Sequence, residues 1–322
     1  MDTQSETSFS ELFHRIKGEL HREIIGQDKL LDRLLIALLA DGHVLLEGVP
    51  GLAKTRTLMA LTKVLDAKMT RIQFTPDILP SDVVGTEVYR PQSGDFVIRK
   101  GPVFTNLLLA DEINRAPAKV QSALLQAMQE REVTIGEETF KLPHPFLVLA
   151  TQNPLEQEGT YALPEAQVDR FLMKVKVGYP TFDEEVAIID LASNKAASST
   201  PLSKILPLSE LSTLRAQCDE VYIDPKIDRY IVSLVHATRN ADAYGLKGMI
   251  EWGGSPRASI ALRVCARAFA FLKGKRFVTP DDVKEIAPDV LRHRILVTFE
   301  AEARGIDSDQ IIKTLLSSVT IP

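Results

Sequence analysis

The segment Gly48-Val49-Pro50-Gly51-Leu52-Ala53-Lys54-Thr55 follows directly on His43–Glu47, with its apolar run Val44–Leu46, and directly precedes the helical pattern Arg56–Leu65. No other stretch constrains the fold as much. Gly48 and Gly51 let the backbone turn sharply between a strand and a helix. Successive N–H groups then point at one spot, and the helix N-terminus adds partial positive charge there. Such a loop is suited to cradling phosphates. In that setting Lys54 reaches β- and γ-phosphates, and the Thr55 hydroxyl joins a magnesium shell. The common form of the loop has Gly before the Lys, where this chain has Ala53; a methyl group is tolerated there at negative φ.

Around the loop, short apolar runs suit strands buried on both faces of a parallel sheet. They are Val44–Leu46, Leu107–Ala110, Phe146–Ala150 and, less cleanly, Arg71–Phe74 and Leu172–Val177. Helical periodicity fills the stretches between them, at Phe9–Arg22, from the candidate cap Asp28 through Leu38, at Arg56–Leu65 and at Lys119–Arg131. The alternation predicts an α/β fold with a parallel sheet flanked by helices. Two inserts break the rhythm. Thr75–Phe104 is rich in Pro, Gly and Asp and too long for a simple connection. Val133–Leu142 alternates apolar and polar residues about Gly136, as a hairpin does.

Beyond Thr181 the pattern reads as helices only, at Asp183–Ser193, Leu208–Cys218, Pro225–Ala237, Ser255–Lys273, Thr279–Leu296 and Asp307–Ser318. Asp224 and Thr279 are candidate caps before Pro225 and Pro280. A chain of 322 residues is long enough for two domains, each with its own core. The predicted division is an α/β core over 1–181, a helix and linker over 182–204, and a smaller all-helical domain over 205–322.

Composition excludes several classes. Lys and Arg number 38 against 43 Asp and Glu, a net charge of −5, which offers no general attraction to nucleic acid or an anionic membrane. No apolar run approaches the roughly 20 residues of a bilayer span, and the polar N-terminus lacks the pattern of a secretory signal; a cytoplasmic protein is expected. Cys218 and Cys265 read as small buried hydrophobes. The six histidines, His43 and His236 among them, show no metal-ligand spacing, and no Gly-x-Ser-x-Gly elbow occurs.

Leu107-Leu108-Leu109-Ala110 runs into Asp111-Glu112, which sets two carboxylates at the carboxyl edge of the sheet beside the loop. Asp111 suits a magnesium shell and Glu112 a base that polarises an attacking water. Asn153 ends another apolar run, where it either orients that water or forms an Asn-Pro turn. Arg170, in Asp169-Arg170-Phe171, is either an arginine finger toward a neighbouring subunit or a partner of Asp169. Arg257 opens a helix in the second domain and is either a γ-phosphate sensor or a surface residue; whether Arg115, in Ile113-Asn114-Arg115-Ala116, faces a neighbour's nucleotide is open. The basic stretch Arg257–Arg276 reads as a solvated or paired face, with subunit or nucleic-acid contact as the other possibility.

In order and spacing these elements resemble the AAA+ ATPases. Ile25-Gly26-Gln27, Glu47-Gly48-Val49-Pro50-Gly51, Arg71-Ile72-Gln73-Phe74-Thr75-Pro76-Asp77, Gly101-Pro102-Val103-Phe104, Asp111-Glu112-Ile113-Asn114-Arg115-Ala116 and Ala150-Thr151-Gln152-Asn153-Pro154 resemble signatures of the MoxR family within them. The resemblance implies a P-loop core with a five-stranded sheet, a helix-2 insert within 75–104, a pre-sensor hairpin at 132–142, a helical lid and assembly into a hexameric ring. It implies ATP and Mg2+ as cofactors. Ile25 and Gly26 would line the adenine pocket, and Gly48, Val49, Pro50, Gly51, Leu52, Ala53, Lys54, Thr55 and Arg56 would hold the phosphates. Thr55 and Asp111 would position the metal, Glu112 would activate water, and Asn153 would align it. Arg257 would sense the γ-phosphate in cis and Arg170 would act in trans. It further implies chaperone-like work on a protein client, or metal or cofactor insertion, often with a partner that carries a von Willebrand factor A domain. The alternatives are a nucleic-acid motor, which the net charge disfavours; a magnesium-chelatase-like subunit; and a slow nucleotide-gated scaffold, which Glu112 disfavours.

Overall fold

A computed structural model describes residues 3–49, 51–52, 54–153, 161–193 and 201–321. Helices α1 (Thr3–Leu20) and α2 (Asp28–Leu39) come first. Asp28 does not cap α2: Gln27 takes the cap position in left-handed backbone, and Asp28 sits in the first turn. The reason is local, since Gly26 and Gln27 are both left-handed and turn the chain before Asp28. Nearly all of α2 from Leu30 to Leu39 is buried, so it packs on more than one side.

The core then alternates as expected. Strand β1 (Val44–Glu47) leads through the loop to α3 (Lys54–Leu65), and β2 (Met69–Gln73) follows. The first insert is a short helix α4 (Pro80–Val84) and the hairpin β3 (Gly85–Arg90)–β4 (Asp95–Lys100). Next come β5 (Leu107–Asp111), α5 (Ala118–Glu130), the hairpin β6 (Glu132–Ile135)–β7 (Glu138–Lys141), β8 (Leu147–Gln152), α6 (Glu165–Val168) and β9 (Met173–Lys176). The five core strands pair in parallel in the order β2-β5-β8-β1-β9. Chain order and spatial order differ, so the ends of β1, β5 and β8 meet at one edge although β2 lies between β1 and β5 in sequence.

Helix α7 (Phe182–Ser193) has no buried residue. The remainder comprises α8 (Leu208–Asp219), α9 (Pro225–Arg239), β10 (Ile250–Trp252), α10 (Pro256–Leu272), α11 (Pro280–Leu291), β11 (Leu296–Val297), α12 (Phe299–Ala303) and α13 (Ser308–Ser318). Asp224 caps α9 by accepting from the Lys226 N–H, and Thr279 forms a capping box with Asp282. The region is not all helical. β10 pairs antiparallel with β11, Ile250 opposite Val297. Strands of three and two residues are too short for a period of two to register in sequence.

The helical region also does not stand on a separate core. One apolar cluster runs from α1, α2 and α3 across a face of the sheet into α8–α13, and a second covers the other face beneath α5 and the inserts. Phe13 and Phe271 meet edge-on at 5.8 Å across that seam. Buried there too is Arg33 of α2, whose Nε donates to Asp289 of α11 at 2.7 Å. Both cysteines are free and buried, and burial pushes each thiol up to about 12.

Candidate functional site

The carboxyl edge of the sheet holds a cleft of ≈370 Å³. Lys54, Thr55 and Arg56 line it from the start of α3, Asp111 and Glu112 from the end of β5, and Asn153 from just beyond β8. Gly51 and Leu52 complete its loop side; Pro50 and Ala53 lie outside the described residues. Gly51 has φ +86°, and no atom lies within 4 Å of where a Cβ would stand. The backbone conformation, not crowding, therefore calls for glycine. Lys54 Nζ donates to the Gly48 carbonyl at 2.5 Å. Burial lowers the ammonium pKa, partly offset by the charges of Asp111 and Glu112.

The two carboxylates are held by different means. Asp111 Oδ1 accepts the Thr151 hydroxyl at 2.7 Å, and its Oδ2 faces Arg71 Nη2 at 2.6 Å. Glu112 takes a left-handed backbone, φ 56° and ψ 51°, which turns it out of the strand line. Such a conformation costs on the order of 1–3 kcal/mol for a non-Gly residue and persists only where the surroundings impose it. One such constraint is the Glu112 N–H, which donates to Thr151 Oγ1 at 2.8 Å. Its carboxylate accepts from Gln73 at 2.8 Å and from Arg115 at 3.3 Å. Arg115 thus folds onto its own chain's Glu112. Asn153 is buried at 5% exposure.

Thr151, Arg71 and Gln73 are the contributors that sequence reasoning assigned no role. The one available signal was the alternation in Arg71-Ile72-Gln73, which places Arg71 and Gln73 on one face of β2. The donor set fits a magnesium nucleotide: a hydroxyl and a carboxylate oxygen are the hard ligands that ion takes. A lysine and the N-terminus of α3 stand beside them for phosphates. Ile25 is half-buried and Gly26 has φ +66°. A Cβ on Gly26 would collide with the Glu184 carboxylate. Neither Ile25 nor Gly26 lines the ≈370 Å³ cleft.

Arg170 and Arg257 are elsewhere. They share a second cavity, ≈240 Å³, with His43, Met128, Gln129 and Asp169. His43 directly precedes β1 and Arg170 precedes β9, so this cavity lies at the amino edge of the sheet. A four-residue strand spans about 13 Å, which separates the two edges. Arg257, expected as a cis sensor, thus lines a cavity other than the one that holds its own chain's phosphate loop. Its Nη1 lies 3.7 Å from Asp169 Oδ2 instead. In the basic stretch that follows, Arg263 pairs with Asp228, Arg267 with Asp219 and Lys275 with Asp282. That is a paired face, with Phe269 and Phe271 buried beneath it.

Residues 43–173 match the model of the ATPase family associated with various cellular activities (AAA), and residues 243–315 match the AAA lid domain. The chain is 47% identical over 308 residues to Chaperone MoxR1 of Mycobacterium tuberculosis, covering 94% of this chain and 81% of the relative. It is 31% identical to Protein MoxR of Paracoccus denitrificans, covering 91% of each. A solved structure from Cytophaga hutchinsonii, described as that of a candidate ATPase, superposes with a TM-score of 0.90 at 46% identity, over 99% of this chain and 97% of that one. Phosphate loop, paired carboxylates, strand order and lid agree with these likenesses, and the chain belongs to the MoxR family of AAA+ ATPases.

Proposed function

We propose that this chain hydrolyses ATP with Mg2+ and uses the reaction to rearrange a protein partner, as one subunit of a ring. The observation that carries the reading is the convergence of Lys54, Thr55, Asp111, Glu112 and Asn153 on one cleft at the carboxyl edge of the sheet. Lys54 and the loop N–H groups hold the phosphates, with Gly48–Arg56 as their cradle. Thr55 and Asp111 are the residues that would hold magnesium, which neutralises charge on the phosphate oxygens when bound. Glu112 takes the proton of the attacking water, and Asn153 orients that water.

Among the described residues, the arginines of the cleft are Arg56, on the loop side with Lys54, and Arg71, which is taken up by Asp111. The cation that stabilises the transferring phosphoryl group is therefore sought on a neighbouring copy. Arg170 and Arg257 stand together at the other edge, where they suit delivery to a neighbouring copy. Both are read here as acting in trans. Helix α7 supports assembly: Phe182, Val186 and Ile189 leave an apolar stripe at 80%, 45% and 62% exposure on a helix with no buried residue. The relative named a chaperone supports work on a protein client; assembly of a complex, or metal or cofactor insertion, is the form proposed for that work. A von Willebrand factor A domain protein is the proposed partner. The pairing of the lid arginines with Asp228 and Asp219 speaks against a nucleic-acid motor.

The test is nucleotide binding and phosphate release in two variants. Lys54→Ala is expected to lose nucleotide binding or turnover. Glu112→Gln is expected to bind ATP yet turn over at least about a hundredfold more slowly, the scale of a lost base. Glu112→Gln held in ATP then serves to capture the client. Wild-type turnover in Glu112→Gln would overturn the assigned base.

A further inference from the structure

Arg71 stands against Asp111 inside the cleft where a metal would bind. It projects from β2, the edge strand, across to the end of β5, where register sets Gln73 opposite Asp111. Both Nη2 and Nε converge on the same carboxylate oxygen, Asp111 Oδ2, at 2.6 and 3.2 Å. Nη2 is also 3.0 Å from Gln73 Oε1, which holds the guanidinium in place. Asp111 Oδ1 is taken by the Thr151 hydroxyl. Both oxygens of this carboxylate are therefore engaged, one by a neutral donor and one by a full positive charge. Arg71 is half exposed while Asp111 is largely buried, and Arg71 lines the same cleft as Thr55 and Lys54. A cation that binds Asp111 Oδ2 therefore has to displace the guanidinium from it.

We propose that Arg71 is a tethered cation that competes with magnesium for Asp111 Oδ2, so that Asp111 is released to the metal only when nucleotide phosphates arrive with it. The reasoning is one of ligand number. Magnesium demands near-octahedral oxygen coordination and sheds its water reluctantly. Asp111 and Thr55 alone offer too few oxygens to displace a two-point guanidinium contact. Phosphate oxygens make up the difference. Arg71 is thereby a positioning residue that keeps the carboxylate aligned and keeps free metal out of a site without nucleotide. The proposal rests on the nucleotide-hydrolase reading above and adds an order of loading to it.

The experiment measures binding, not turnover. A fluorescent ATP analogue on the full-length protein reports nucleotide affinity in EDTA, and titration of Mg2+ at fixed nucleotide reports the apparent metal affinity. Arg71→Gln keeps much of the reach and removes the charge; Arg71→Met serves in its place if that variant does not fold. Either is expected to tighten the apparent Mg2+ affinity about fivefold, the scale of a half-exposed ion pair. Nucleotide affinity in EDTA should move less than about twofold, and Arg71→Lys should restore most of the wild-type metal affinity. Unchanged or weaker Mg2+ affinity in the neutral variants would overturn the proposal. A selective loss of nucleotide affinity in EDTA would also overturn it, since Arg71 would then be a phosphate ligand. If the wild type binds no nucleotide with or without Mg2+, the nucleotide reading itself fails, a result distinct from either of these.

Discussion

Arg294 donates through Nε to Asp169 Oδ1 at 2.7 Å, and through Nη2 to the Phe171 carbonyl at 2.7 Å. Its side chain is 3% exposed, so the turn before β9 is clamped to the region after α11. The Asp169 carboxylate pairs with Arg294 and Arg257. Arg170 is thus presented from a fixed turn whose acidic neighbour serves other arginines.

From this follows a mixing experiment. Arg170→Ala should keep nucleotide binding and lose roughly a thousandfold in turnover, as finger arginines contribute on that scale. Arg257→Ala should fail in the same way. Mixed with Lys54→Ala, each should regain part of the activity, because the Lys54→Ala neighbour lends the missing arginine to an intact phosphate loop. If light scattering confirms mixed assemblies and no activity returns, the trans assignment is wrong.

Thr151 joins the two carboxylate-bearing residues, and Thr151→Val removes its hydroxyl at nearly constant shape. The Glu112 N–H then loses its acceptor, and Asp111 loses a donor. Urea unfolding should show a loss of about 1–3 kcal/mol, the cost of unsatisfied buried groups. The kcat should fall about tenfold while KM for ATP changes little, and Thr151→Ser should recover both. Normal kcat in the Val variant would show that Thr151 does not position the site.

The α7 stripe makes a prediction about assembly. Val186→Lys and Ile189→Lys each place charge on an exposed apolar face. Monomer stability should change by no more than about 0.5 kcal/mol, as for other surface substitutions. Light scattering should show a shift toward smaller species, with turnover per subunit falling alongside. Intact assembly in both variants would remove α7 from the subunit interface.

His43 supplies a pH dependence. Its Nε2 faces the Met128 carbonyl at 3.0 Å and its Nδ1 accepts the Val148 N–H at 3.0 Å, so the neutral ring uses both nitrogens. Burial, with Arg131 nearby, pushes its pKa down to about 3. A histidine with a folded pKa below its unfolded value near 6.5 gives stability that is complete above that value and is lost as pH falls. At about 1.4 kcal/mol per pH unit, the loss between pH 6.5 and pH 5 is about 2 kcal/mol. His293, also buried and held well below 6.5, acts in the same direction. Urea unfolding at pH 7.5 and pH 5 measures the difference, and His43→Gln should reduce it by about 2 kcal/mol. An unchanged difference would mean that His43 is not the group titrating.

Much of the site was legible because its parts are written in consecutive residues. The turn Gly48–Thr55, the strand ending in Asp111-Glu112 and the strand ending before Asn153 each declare themselves within a dozen positions. The β10–β11 ribbon did not, since so few residues carry no period. Nor did the left-handed Gln27, which displaced Asp28 from the cap.

The sequence by itself determined the longer elements, the α/β alternation of the core, and which side chains end its strands, because strand burial and the phosphate turn depend on local pattern. Only the tertiary structure decided which of those side chains meet. Arg71, Asp111 and Thr151 are about 40 residues apart from one to the next, and they touch because β2, β5 and β8 are neighbours in the sheet. Arg257 shows the converse. Its segment looked fit to sense its own chain's phosphates, but α10 and the turn before β9 meet at the amino edge of the sheet, while the phosphate loop opens at the carboxyl edge. In a parallel sheet every strand runs the same way, so those two edges are a full strand length apart.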